Sequence, residues 1–195
     1  SLAIVPLVLS AQSDSMHIRR ATRNIAWFTP CGATRINGVA AGLLTLNVRE
    51  QPMKINGLNL SAGVVAVIAW PYVFNYLLTS PKKRQKDFMD TDTINTVING
   101  MSLSFGGEVA LNVNGVNIAG FMTGAGNIRG LSVTGVFTKT SDFRGVCISG
   151  LSNISVKGTG VQIGLFNSCQ NLKGIQLGLW NKSGKRGLPF INWGA

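Results

Sequence analysis

The chain has 195 residues, 45 % of them hydrophobic and only 13 % charged, with 24 glycines. That balance excludes intrinsic disorder, which needs high charge and low hydrophobicity, and argues against a helical bundle, whose exposed faces would use far more Glu and Lys. Eighteen Lys and Arg against seven Asp and Glu give a formal charge of +11, so the surface should attract anionic partners and release them in salt.

The first segment, SLAIVPLVLSAQ (residues 1–12), is apolar and ends in small residues. It reads as the remnant of a secretory signal peptide, cut near Ala11 or Gln12, with a buried N-terminal strand as the alternative. Residues 13–195 are expected to form one β-repeat domain with an irregular insertion at about 61–98. Its early copies are INGVAAGLL at Ile36 and INGLNLSAG at Ile55. The insertion carries the apolar run GVVAVIAWPYVFNYLL, then PKKRQK and the acidic DFMDTD. Pro71 and Asn75 interrupt the apolar run, which argues against a membrane-spanning helix. Either the run covers one end of the repeat stack, or it meets a membrane. In the second case Lys82, Lys83, Arg84 and Lys86 reach lipid headgroups, and Trp70 and Tyr72 sit at the interface.

From Gly100 onward the chain repeats itself. GMSLSFG, GVNIAGF, GLSVTGV, GVCISGL, GVQIGLF and GIQLGLW open at Gly100, Gly115, Gly130, Gly145, Gly160 and Gly174, so the spacings are 15, 15, 15, 15 and 14. Each phrase alternates with period two, the signature of a strand. Val116 and Ile118, Leu131 and Val133, Val146 and Ile148, and Val161 and Ile163 are expected to fill the interior. Asn117, Ser132, Cys147, Gln162 and Gln176 would then face water. The linking segments GAGN, TKTSD, SNIS and NSCQN read as turns. Two all-β architectures fit: a repeat β-solenoid with one coil per unit of about 15 residues, which is preferred, or an antiparallel meander closed into a small outer-membrane β-barrel. The closing KRGLPFINWGA would cap the solenoid, with Phe190, Ile191 and Trp193 over the last coil, or close the barrel.

The residues offer little for catalysis. Acid–base work needs two carboxylates, or a carboxylate and a histidine, held together. Here the single histidine, His17, lies beside the expected cleavage site, and three of the seven acids crowd into residues 87–92. There is no GxSxG elbow, and a cysteine nucleophile would have to recruit that same His17. Asp87, Asp90 and Asp92 lack the glycine and closing glutamate of an EF-hand loop. GAGNIRG (124–130) falls on the repeat frame with no helix to cradle a phosphate. Cys31, Cys147 and Cys169 are odd in number and have no CxxC spacing, so they read as small buried thiols. No enzyme activity, metal or cofactor is expected. Arg129, Arg144 and Lys173 each precede a repeat glycine and should form a basic edge along the stack. That edge could bind a linear polyanion, or could simply be a solvated border that discourages aggregation.

GVQIGLFN, LKGIQLGLWN and the closing LPFINW, with INGLNLS and INGVAAGLL upstream, resemble a group of bacterial surface-repeat proteins of Bacteroidota and spirochaetes. The likeness runs from about Asn24 to Trp193, and it implies an exported protein of the cell surface, outer membrane or periplasm. It carries over no catalytic residue. The expectation is therefore a non-enzymatic structural or adhesive repeat module, displaying Asn117, Ser132, Gln162, Gln176 and the basic edge. Its partner would be envelope lipid, an acidic glycan or another surface protein, with no specific nucleic acid. An outer-membrane barrel and a polyanion-binding module are the alternatives.

Overall fold

The computed structural model describes residues 22–47, 52–63 and 96–194. The signal-peptide reading, His17, the acidic run and Lys82, Lys83, Arg84, Lys86, Trp70 and Tyr72 lie outside the described residues. Ten strands follow one another: β1 Thr22–Cys31, β2 Arg35–Asn47, β3 Met53–Ser61, β4 Thr96–Ser104, β5 Gly107–Ala119, β6 Met122–Thr134, β7 Phe137–Ser149, β8 Ser152–Ile163, β9 Phe166–Ser183 and β10 Arg186–Gly194. Each pairs with its sequence neighbours, in the order β1 to β10. All pairings are parallel except the last, in which β10 runs antiparallel to β9. The fold is a β-solenoid of about eight turns. Parallel neighbours one coil apart are incompatible with the antiparallel meander of a barrel, so that architecture is set aside.

Register follows the repeat. Gly38 pairs with Gly57, Gly57 with Gly100, and the column continues through Gly115, Gly130, Gly145 and Gly160 to Gly174. Every glycine in it has φ between +120 and +146°. Strands β5 to β7 are each 13 residues long and bend at this glycine. They therefore absorb the segments expected to be turns. GAGN, TKTSD and SNIS lie in β6, β7 and β8, because their Ala, Thr and Ser side chains suit a narrow interior as well as a turn. The actual coil junctions are short, at residues 120–121, 135–136 and 150–151.

The two faces are the reverse of the expectation from alternation. Asn117, Ser132 and Gln176 are fully buried and Cys147 and Gln162 nearly so, whereas Ile118 is 39 % and Ile163 37 % exposed. Val116, Leu131, Val133, Val146, Ile148 and Val161 are only half-buried. Alternation shows that two faces differ without saying which is inside. The glycine bend turns the polar set inward, where it finds partners. Gln176 Nε2 donates to Gln162 Oε1 at 2.8 Å, and Gln162 Nε2 donates to Ser155 Oγ at 3.0 Å. A second chain runs along the stack. Asn117 donates to Thr123 and Ser149 to Asn153, then Asn153 donates to Asn167 and Asn167 to Asn181, all within 2.8–2.9 Å. Asn153, Asn167 and Asn181, and Gln162 and Gln176, thus meet their counterparts one coil away, which offsets the cost of desolvating them. Asn117 instead bonds the hydroxyls of Thr123 and Ser132 and leaves its Oδ1 without a partner among the described residues.

The apolar core comes from the position two residues before each glycine. Ile36, Ile55, Ile98, Val113, Ile128 and Phe143 stack there with almost no exposure, followed by Leu172. Gly158 occupies the same column, and a Cβ there would lie 2.0 Å from the Phe143 ring, so the aromatic fills the space its neighbour vacates. Phe190, Ile191 and Trp193 remain 72 %, 52 % and 54 % exposed and do not cover the last coil. The cap is made instead by backbone pairing of β10 and by Asn192, fully buried against Gln176 and Asn181.

Candidate functional site: a basic cleft on the last coils

The residue before each column glycine points outward. In the first coils it is asparagine, and its amides form a ladder. Asn37 donates to Asn24, Asn56 to Asn37, Asn99 to Asn56 and Asn114 to Asn99, at 2.8–3.0 Å. After Asn114 the register passes to Arg129, Arg144, Thr159 and Lys173. The amide ladder, held by its own hydrogen bonds, gives way to a basic column whose members repel one another and extend into solvent.

Two residues earlier a parallel column carries Asn127, Asp142, Lys157 and Asn171. Asp142, Lys157 and Asn171 of this column line, together with the closing hairpin, a cleft of about 860 Å³. Arg144, Lys157, Lys173, Lys185 and Arg186 border it, and among the described residues Asp142 is its one carboxylate, 4.0 Å from Arg144. Arg186 lies 4.7 Å over the Trp193 ring and donates to Asn192 Oδ1 at 3.0 Å and to the Trp193 carbonyl. The structure therefore brings Arg144 and Lys173 to one site, one coil on either side of Thr159. Arg129 stays in the same column but outside the cleft lining. Sequence reasoning missed Lys157, Lys185, Arg186 and Trp193. Lys157 falls two residues off the repeat frame's basic position, and the hairpin that delivers the other three reverses the repeat direction.

Glu108 is 1 % exposed and accepts from Asn59 Nδ2 at 2.9 Å and Ser102 Oγ at 2.8 Å. Burial pushes its carboxyl up to about 7 from an ordinary value of 4.5, against the opposing pull of those hydrogen bonds. Its folded pKa is the raised one, so its contribution to stability is fully present below about pH 4.5 and is lost as pH rises through 7. That rise from 4.5 to about 7 corresponds to about 3 kcal/mol. Urea unfolding at a series of pH values should show that decline, and Glu108→Gln should flatten it and stabilise the fold at pH 8. Unchanged pH dependence in the variant would contradict the assignment. The Cys147 thiol is pushed to about 12, first by burial and then by Cys169, so it stays protonated and is a poor nucleophile. Cys31, Cys147 and Cys169 are all free, the last two buried and Cys31 partly so. Among the described residues no group of three His, Cys, Asp or Glu could hold a metal ion.

No protein family, curated protein or solved structure matches this chain.

Proposed function

We propose that the chain is an exported, non-enzymatic structural or adhesive module of the bacterial envelope that holds an anionic envelope component in the basic cleft. The observation that carries this reading is the convergence of Arg144, Lys157, Lys173, Lys185 and Arg186 against the single carboxylate of Asp142. Successive coils stand about 4.8 Å apart, so cations in a column recur at a spacing a linear polyanion can follow. The stack supplies rigidity, because the coils are held by a parallel ladder and by hydroxyl and amide hydrogen bonds inside. Trp193 offers an exposed ring beside the cations, which suits a sugar face as well as a charge. The resemblance of GVQIGLFN and LPFINW to surface-repeat proteins supports the exported, envelope setting.

Binding to immobilised polygalacturonate tests this. The wild-type chain should bind at low salt and release as salt rises. Replacing Arg144, Lys157 and Lys173 together by Gln should weaken binding at least tenfold and flatten the salt dependence. Binding equal to wild type would remove the cleft as the contact.

A further inference from the structure

The aliphatic residues that alternation assigns to a core form an outer wall instead. The column one residue after each glycine runs Val39, Leu58, Met101, Val116, Leu131, Val146, Val161 and Ile175. A second column, two residues further on, includes Leu60, Leu103, Ile118, Val133, Ile148 and Ile163. Eight rungs at about 4.8 Å make the wall roughly 35 Å long, well beyond scattered surface apolar residues. Phe105, 90 % exposed, joins Leu60, Leu103 and Ile118 around a shallow groove of about 470 Å³, with no ionisable side chain in its lining among the described residues. The fold does not need these side chains inside, because amides and hydroxyls fill that half of the interior.

We infer that this wall rests on a lipid bilayer with anionic headgroups, its aliphatic columns in the acyl boundary and Arg129, Arg144 and Lys173 at headgroup level along one border. The cation column lies just across the glycine bend from the first apolar column, two residues away. An apolar face with a basic border is the pattern that seats a protein in the plane of an anionic interface. The wall is built mostly of Val, Ile and Leu with Met101 in one rung, an even aliphatic surface that suits disordered acyl chains better than the shaped surface of a protein partner. Its backbone groups are already paired along the ladder, so contact with lipid strands no hydrogen bonds. A net charge of +11 favours the anionic surface over a second copy of the chain. The inference takes its setting from the envelope reading and shares Arg144 and Lys173 with the cleft, but it rests on the apolar wall and not on Lys157, Lys185 or Arg186.

The test is co-sedimentation of the full chain with vesicles of phosphatidylglycerol and phosphatidylethanolamine. Wild type should partition onto them, and at least tenfold more strongly than onto phosphatidylcholine vesicles. Replacing Ile118, Val133, Ile148 and Ile163 together by Ser should lower partitioning at least twentyfold while polygalacturonate binding and the far-UV circular dichroism stay unchanged. Replacing Lys157, Lys185 and Arg186 together by Gln, cleft residues that lie off the headgroup border, should show the opposite pattern, losing polygalacturonate and keeping vesicles. Vesicle binding by the Ser variant equal to wild type would overturn the inference. So would a wild-type dimer in plain buffer that the Ser substitutions dissociate, since a second copy would then cover the wall. Should the Ser variant fail to fold, a dye sensitive to polarity attached at Ile148→Cys in a Cys31→Ser background decides. A blue shift on vesicle addition supports the lipid contact, and no shift overturns it.

Discussion

Gly145→Ala should unfold the chain or destabilise it by at least about 3 kcal/mol, although it adds one methyl group. Gly145 has φ +130°, a conformation reached essentially by glycine alone. A Cβ built on it would lie 2.1 Å from the carbonyl oxygen of Gly130 and 2.9 Å from its carbon. Those atoms are backbone, so no side chain can swing aside, and relief would require the two coils to separate. That separation would break the parallel ladder between β6 and β7 on both sides of the bend. Arg144→Ala, one residue away and exposed, should change stability by less than about 0.5 kcal/mol. Urea unfolding of both variants measures the difference, and a Gly145→Ala midpoint close to wild type would refute the close approach of the two coils.

The second large effect concerns the two faces. Gln162→Asp should cost about 3–5 kcal/mol at neutral pH, because it puts a charge where Gln162 is 1 % exposed. The shorter side chain also gives up the bond to Ser155, and Gln176 Nε2 loses the oxygen it donates to. Ile148→Asn, in the outer wall, should cost about 1 kcal/mol in buffer, since the residue is half-buried and amides tolerate that environment. Thermal unfolding of the pair checks this. Equal losses, or a greater loss at Ile148, would restore the apolar interior that alternation suggests.

That reversal marks how far the sequence could be read. The repeat itself was legible, because six phrases in step from Gly100 leave no other account, and the early copies at Ile36 and Ile55 do join the same glycine column. Preference for stacked coils over a barrel also held, since near-identical neighbours pair in register. Which face is inside was not legible. Period-two alternation is symmetric, and the usual tie-breaker, that aliphatic residues lie inside, fails where Asn, Gln, Ser and Thr recur at a spacing that lets each bond its equivalent in the next coil. Asparagine and glutamine ladders of this kind are familiar from stacked β structures, and they make a polar interior affordable only when the repeat is regular. The basic column was legible in Arg129, Arg144 and Lys173, but the cleft was not, because the hairpin from β9 into β10 reverses direction and brings Lys185, Arg186 and Trp193 to the same cleft as Arg144 and Lys157 by no repeat spacing.

The pairing of β3 with β4 has a consequence for how such a protein can change. Gly57 meets Gly100 with the same register that Gly100 keeps with Gly115, although 34 residues, 62–95, separate the ends of the two strands. From β4 onward two residues suffice at each junction, as between Ser104 and Gly107. Lengthening a link from 2 residues to 34 is about four doublings, which in closure entropy is about 2.5 kcal/mol. A stack of repeating rungs absorbs that sum because the neighbouring coils supply the template for re-entry. Coil junctions are therefore places where new sequence can be gained or lost without renumbering any contact, and the ladder keeps count of turns while remaining indifferent to the length of chain between them.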